Sequence, residues 1–320
     1  MDKILVTGAD GFVGRQLCQT LSQEGFAVKA AVRQAAIAPA ADLEYVAVGD
    51  IGPDTDWTEA LRGVHRVVHL AGRAHILGEN SANAMAEYER VNTLGTMRLA
   101  HMAAAAQVRR FLFLSSVKVN GEETFGRPFV ETDPPGPVDA YGMAKWQAES
   151  GLLHLDQQGE LPVVVIRPPL VYGPGVRANF LKLIRWVDYG LPLPLGKIKN
   201  KRSLVGLGNL INFMVLCLKH PAAAGEIFLV SDQEDLSTPD LIQRIGGLLG
   251  RSAYLLPIPY QVMLTIARLM GKQDALQKLC HSLQVNVEKA NEVLQWKPPF
   301  SVNDGLKQTI EWYKDKYESN

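Results

Sequence analysis

A short apolar run, Lys3-Ile-Leu-Val-Thr7, leads directly into glycines at Gly8, Gly11 and Gly14 of the segment TGADGFVG. Few features restrict a fold as strongly. Glycine lets the turn after a strand take positive φ, lets the backbone approach a pyrophosphate, and lets a helix pack closely on the strand. The following LCQTLSQEGF is amphipathic and predicts a helix over Gly14–Glu24. Its N-terminus offers unbonded N–H groups and the positive end of the helix dipole to phosphates. A strand before the glycines and a helix after them are the context a nucleotide-binding βα turn requires.

Strand and helix patterns then alternate. AVKAAVR, LEYVAVGD, RVVHLAG, RRFLFLSS and LPVVVIRPP read as strands. WTEALRG, a long stretch from about Asn83 to Gln107 with an Ala-rich end, and Ala140 to about Gln158 read as helices. Such alternation predicts a parallel sheet covered by helices on both faces, with ligands beyond the carboxyl ends of the strands. After Pro168 the pattern loosens. YGPGVRANFLKLIRWV reads as a turn and helix, LPLPLGKIKNKRSLV as loop and edge strand, and the rest as mostly helical. GNLINFMVLCLKH reads as a helix and GEIFLVS as a strand that returns to the main sheet. The expected organisation is a nucleotide-binding domain over 1–168, joined by 207–231, and a smaller substrate lobe over 169–206 and 232–320.

Composition narrows the function. The 320 residues are 47% hydrophobic and 21% charged, with formal net charge zero. That gives no basis for nucleic-acid binding. Cys18, Cys217 and Cys280 are odd in number and widely spaced, which predicts reduced thiols and no metal site. Met1-Asp2-Lys3 runs straight into a strand, and the apolar stretch Leu210–Leu218 is too short to span a bilayer. A cytoplasmic protein without membrane insertion is expected.

Tyr141 and Lys145, in YGMAK, stand four residues apart and share one face of a helix. A nearby ammonium favours a phenolate, so Lys145 is expected to lower the Tyr141 pKa and make the phenol a usable acid–base group. Ser115 and Ser116 lie at the carboxyl end of RFLFLSS, about 25 residues earlier. A hydroxyl there can hydrogen-bond a substrate oxygen beside the tyrosine. Ser116, Tyr141 and Lys145 together suit proton transfer at an alcohol, coupled to hydride transfer at a nicotinamide.

In order, TGADGFVG, Asp50, HLAG, NTLGT, LSS, YGMAK and RPPLVYGPG resemble the extended short-chain dehydrogenase/reductases, in the sugar-nucleotide epimerase/dehydratase group. The likeness covers nearly the whole chain. It implies an α/β Rossmann fold, a doubly wound parallel sheet with a smaller, mostly helical C-terminal substrate lobe. It implies a bound NAD(P), held by Gly8, Gly11, Phe12, Val13 and Gly14, and at the adenine by Asp50 and Ile51. Leu70, Ala71 and Gly72 would line the cofactor, with Asn92 bracing beneath and Ser115 and Pro168 alongside. Ser116 would be the catalytic serine, Tyr141 would touch the cofactor as well as act in catalysis, and Lys145 would also hold the nicotinamide ribose. Asn179, Phe180 and Arg202 would meet the nucleotide part of the substrate, Arg202 at the diphosphate. Lys197, Lys199 and Lys201 suit the same anion or form a solvated charge run, and His75 is either a substrate contact or a surface residue. The likeness also implies a homodimer through the helices near 83–107 and 140–158, although the Ala-rich face can equally pack on its own sheet.

Three departures sharpen the reading. The group's 4,6-dehydratases carry Asp-Glu after the catalytic Ser or Thr, whereas Val117 and Lys118 stand here. Arg33 ends the second strand where an acid would grip the NAD ribose. It attracts a 2′-phosphate and favours NADP, unless it is a surface charge or stacks on adenine. Leu170 replaces an asparagine of the epimerases. LSSVKVNGE and FLVSDQEDLST are similar to a bacterial subgroup of surface-polysaccharide synthesis, including lipopolysaccharide. That likeness implies reduction of UDP-4-keto-6-deoxy-N-acetylglucosamine to UDP-N-acetylquinovosamine. A UDP-glucose or UDP-N-acetylglucosamine 4-epimerase and a non-catalytic dinucleotide-binding module are the alternatives.

Overall fold

The computed structural model describes residues 2–34, 42–73 and 82–317. Its strands are β1 (Lys3–Thr7), β2 (Ala27–Val32), β3 (Glu44–Ala47), β4 (Arg66–His69), β5 (Arg110–Leu114), β6 (Val163–Arg167), β7 (Leu170–Tyr172), β8 (Leu204–Gly206) and β9 (Glu226–Leu229). Seven form one parallel sheet in the order β3-β2-β1-β4-β5-β6-β9. The chain reverses its direction of travel across the sheet between β1 and β4. Their carboxyl ends therefore open the crevice in which ligands of such sheets bind.

The helices are α1 (Phe12–Gln23), α2 (Thr58–Leu61), α3 (Ala82–Tyr88), α4 (Gly95–Ala105), α5 (Ala140–Gln157), α6 (Ala178–Asp188), α7 (Leu207–Lys219), α8 (Thr238–Leu249), α9 (Tyr260–Leu269), α10 (Gln273–Cys280), α11 (Glu288–Leu294) and α12 (Val302–Tyr317). Alternation along β1 sends Ile4 and Val6 to one face, against Leu17 and Leu21 of α1 and Leu210 and Met214 of α7. Leu5 faces the other way and joins Leu99, Ala100 and Ala103 of α4 with Ala148 and Leu152 of α5. The small side chains of the Ala-rich helix thus pack on the protein's own sheet.

β9 pairs with β6, so the segment GEIFLVS does return to the main sheet. The two-stranded parallel pair β7–β8 stands apart from it, and the sequence reading gave no strand at Leu170–Tyr172. A separate apolar core gathers Phe180, Ile184, Ile242, Ile245, Leu306 and Ile310 from α6, α8 and α12. Tyr172 links the two-stranded sheet to this core. Its hydroxyl donates to Asp232 at 2.8 Å, and Asp232 accepts from the Gly206 N–H and from Asn209. Cys18, Cys217 and Cys280 are buried free thiols.

The expected single helix over 83–107 is broken. A π-helical turn, Glu89–Leu94, separates α3 from α4. The wider turn inserts an extra residue, a device that re-aims side chains at functional sites. Here it carries the buried Asn92. α1 begins at Phe12, two residues before the expected start, because Gly11 and not Gly14 serves as the N-cap. Gly14 lies inside the helix, where a Cβ would come 2.1 Å from the Gly8 carbonyl oxygen. Backbone cannot yield as a flexible side chain does. Gly14→Ala is therefore expected to lower unfolding stability by about 1–3 kcal/mol, read by urea denaturation. An unchanged midpoint would show that the helix and the turn can separate.

Candidate active site

Ser116 leaves the end of β5 and caps a short 3₁₀ turn, Val117–Val119, accepting from the Lys118 N–H at 3.3 Å. Asp139 caps α5 and accepts from the Gly142 N–H at 2.7 Å, which places Tyr141 in the helix's first turn. The Ser116 and Tyr141 side chains are hydrogen-bonded to each other. Lys145, one turn on, is buried and donates to the Leu114 carbonyl at 2.9 Å. Its ammonium lies 6.0 Å from the Tyr141 ring centre and 4.5 Å from that of Phe113.

The electrostatics correct one expectation. Burial, and secondarily the Asp139 carboxylate, pushes the Tyr141 phenol up to about 12, and the Ser116 hydrogen bond only moderates this. Burial outweighs the expected lowering, and the Lys145 ammonium donates to the Leu114 carbonyl. Burial lowers Lys145 itself to about 8, against the opposing pull of Glu149. At neutral pH Tyr141 is thus a protonated donor, the state required to give a proton to a substrate oxygen.

Lys118 stands at one of the two positions of the dehydratases' acid pair and has a different task. Its ammonium binds Glu122 at 2.6 Å and also the Asp139 carboxylate. One cation therefore ties the Ser116 turn to the cap of the Tyr141 helix. It also offsets the charge of Asp139, which raises Tyr141. Lys118→Met is expected to lower kcat about tenfold with KM little changed, since a misplacement of about 1 Å can cost as much as a hundredfold. Lys118→Arg should restore most of the loss. Equal kcat in all three proteins would remove the brace from the mechanism.

On the cofactor side, Gly8 has φ +66°, and a Cβ there would meet the Ala71 backbone at 3.0 Å. Phe12 and Val13 open α1, where N–H groups have no intrahelical acceptor. Gly72 sits between Asn92 and Lys145; a Cβ on it would lie 2.7 Å from Asn92 Oδ1 and 3.8 Å from Lys145 Nζ. Asn92 fixes this turn by accepting from the Arg73 N–H at 2.8 Å and donating to its carbonyl at 3.1 Å. Crowded glycines beside a free helix N-terminus form a cradle that fits a dinucleotide pyrophosphate.

Beneath it runs a buried relay absent from the sequence reading. Thr96 donates to the Asn92 carbonyl at 2.7 Å, so its oxygen accepts from His69 Nε2 at 2.9 Å. His69 Nδ1 is then the acceptor for the Thr7 hydroxyl at 2.7 Å, and Thr7 Oγ1 receives the Leu70 and Ala71 N–H groups. Burial drives His69 down to about 3, so the ring is neutral and this tautomer is fixed. The relay locks the ends of β1 and β4 to the π-helical turn. Only the histidine of HLAG hinted at it.

Ser115 is buried, and its hydroxyl has no hydrogen-bond partner among the described residues. The Pro168 carbonyl accepts from the Val117 N–H at 3.0 Å. At the far edge, Arg33 and Asp50 form an exposed ion pair at 2.9 Å across the ends of β2 and β3. Ile51 follows, its methyl close against Gly95. His75 lies outside the described residues.

The expected substrate residues diverge. Asn179 is exposed at the second position of α6. Phe180 is buried, stacked on Tyr172 with ring centres 5.6 Å apart. Its side chain belongs to the lobe's core, so a base contact by this residue would have to come from its backbone; the amphipathic spacing of ANFLKLI was the available signal for the burial. Arg202 donates to the carbonyls of Lys278 at 2.7 Å and His281 at 3.0 Å, so part of its guanidinium is already bound. Lys197, Lys199 and Lys201 alternate outward to solvent.

Residues 4–231 match the NAD dependent epimerase/dehydratase family. A UDP-glucose 4-epimerase of Vibrio cholerae is 43% identical over 96% of this chain and 94% of its own. An N-acetyl-alpha-D-glucosaminyl-diphospho-ditrans,octacis-undecaprenol 4-epimerase of Escherichia coli O157:H7 is 26% identical over 97% and 95%. In fold, a UDP-glucuronic acid 4-epimerase from Bacillus cereus in complex with NAD superposes with a TM-score of 0.79 at 24% identity, over 98% of this chain and 99% of that one. The family match runs through the cradle, the Ser116 turn and the Tyr141 helix alike, and the chain belongs to the NAD-dependent epimerase/dehydratase family, enzymes of the extended short-chain dehydrogenase/reductase type.

Proposed function

We propose that this enzyme carries out redox chemistry at C4 of a UDP-hexose, as a reductase of UDP-4-keto-6-deoxy-N-acetylglucosamine that yields UDP-N-acetylquinovosamine. The observation that carries it is the protonated Tyr141, hydrogen-bonded to Ser116 and set one helical turn from Lys145. Tyr141 gives its proton to the C4 oxygen, and the Ser116 hydroxyl holds that oxygen. When bound, the nicotinamide supplies the hydride. Lys145 and Asn92 orient the ribose side of the cradle. With Val117 and the braced Lys118 after Ser116, no acid pair is available for dehydration at C5 and C6. Leu170, the first residue of β7 and 40% exposed, stands where the epimerases carry an asparagine, and the loss of that polar contact favours the reductase.

Epimerisation at C4 is the second reading, favoured by the 43% identity to a UDP-glucose 4-epimerase. It uses the same three residues, with the 4-keto sugar turning over inside the cleft. For the cofactor, Arg33 favours NADP: a 2′-phosphate would compete with Asp50 for a guanidinium that is already poised there. We assign the enzyme to the cytoplasm, as a homodimer through the helices near 83–107 and 140–158, where Leu94 of the π-helical turn and Met143 of α5 are exposed.

One assay separates the readings. UDP-N-acetylquinovosamine is incubated with NAD or NADP and absorbance of reduced nicotinamide is followed, beside UDP-N-acetylglucosamine with product analysis. Cofactor reduction by the 6-deoxy sugar is expected, faster with NADP. UDP-N-acetylgalactosamine without net reduction would replace the reductase by the epimerase.

A further inference from the structure

We propose that the outer face of the C-terminal lobe docks peripherally on an anionic lipid bilayer. The inference goes beyond the catalytic reading and holds for either sugar reaction. α9 buries Met263 and Ala267 but turns Val262, Ile266 and Leu269 outward, spaced i, i+4, i+7, with Leu269 84% exposed. Tyr254, Leu256 and Met270 extend the exposed apolar surface at both ends of the helix. Beside them, the 189–196 segment is bound to 254–256 by backbone hydrogen bonds from Leu193, Gly196 and Leu256. It adds Tyr189 at 69% exposure and Leu191.

The charges around this surface identify what covers it. Residues 189–202 and 241–273 contain no Asp or Glu, although the whole protein is neutral. Lys197, Lys199 and Lys201 are exposed on the first segment, and Arg268 and Lys272 on the second. Asp188 and Asp240 directly precede the two segments, and Asp274, in the first turn of α10, follows the second; the Asp188 side chain is mostly buried and accepts from the Tyr313 hydroxyl. An apolar helix stripe flanked by these exposed bases matches a surface of acyl chains beneath anionic headgroups. A protein partner of mixed charge would call for acids among these bases. No helix among the described residues is long and apolar enough to cross a membrane, so the contact is peripheral and reversible.

The test is flotation of the full-length enzyme with phosphatidylcholine vesicles and with vesicles of phosphatidylcholine and phosphatidylglycerol. Binding about tenfold greater to the anionic vesicles, and lost at high salt, is expected. The double variant Ile266→Asp/Leu269→Asp should abolish it, and Arg268→Glu/Lys272→Glu should weaken it strongly. Both sites are exposed, so circular dichroism and turnover of the soluble sugar nucleotide should be unchanged. No preference for anionic vesicles, or equal binding by Ile266→Asp/Leu269→Asp, would overturn the proposal. A fall in oligomeric size of that variant would also overturn it, by assigning the face to a second copy of the chain.

Discussion

Tyr141→Phe is expected to lower turnover about a thousandfold, within the range that a positioned acid–base group supplies, and to leave dinucleotide affinity nearly unchanged. The substitution removes one oxygen. The ring stays, and so does its edge contact with Tyr88 at 6.0 Å. Ser116 loses one partner but keeps the Lys118 N–H. Most of the groups proposed to hold the dinucleotide, among them the glycine turn, the Asn92 clamp, Lys145 and Arg33, do not depend on the phenol. Steady-state kinetics should therefore collapse while titration of protein fluorescence with reduced cofactor stays close to wild type. The pH dependence follows from the same site. Tyr141 at about 12 stays protonated throughout the working range. Lys145, near 8, loses its charge first, so activity should fall as pH rises through about 8. Turnover within tenfold of wild type in Tyr141→Phe would assign the proton to another donor.

The parts of this site that were legible in the sequence are those that chain geometry enforces locally. Gly8, Gly11 and Gly14 can be placed because a βα turn needs small residues at those offsets. Tyr141 and Lys145 can be paired because a helix brings residues four apart onto one face. β9 was legible because IFLV is a short, continuous apolar run after a glycine, the pattern of a strand buried on both faces. What escaped depends on groups that only the tertiary fold brings together. Lys118 meets Asp139 from 21 residues away, and Thr7 meets His69 from 62. The π-helical turn keeps helical periodicity on both sides, so the pattern over 83–107 reads as one helix. The burial of the Phe180 side chain escaped for the same reason: it stacks on Tyr172, on a strand too short to announce itself.

Arg167→Met is expected to destabilise the fold by about 3–5 kcal/mol, and Glu149→Leu by a similar amount, because each leaves a buried charge without its partner. The two side chains are 4% and 1% exposed. Arg167 donates to Glu149 through Nε at 3.0 Å and Nη2 at 2.5 Å, and through Nη1 to Asn120 at 3.1 Å. This fork joins the end of β6 to α5 and to the turn after Ser116, directly behind the site. Removing both charges together should recover much of the loss, since a buried pair's attraction is largely offset by its desolvation. The single variants should part company in their pH profiles. Glu149 lies one helical turn from Lys145 and holds its pKa up against burial. In Glu149→Leu that support is gone, Lys145 falls below about 8, and the alkaline loss of activity moves to lower pH. Arg167→Met keeps the carboxylate and should show no such acid shift at a comparable loss of stability. Chemical denaturation of both singles and the double, with pH–rate profiles of the folded proteins, gives the full cycle. Identical profiles for the two singles would reduce Glu149 to a structural partner of Arg167 and remove it from the control of Lys145.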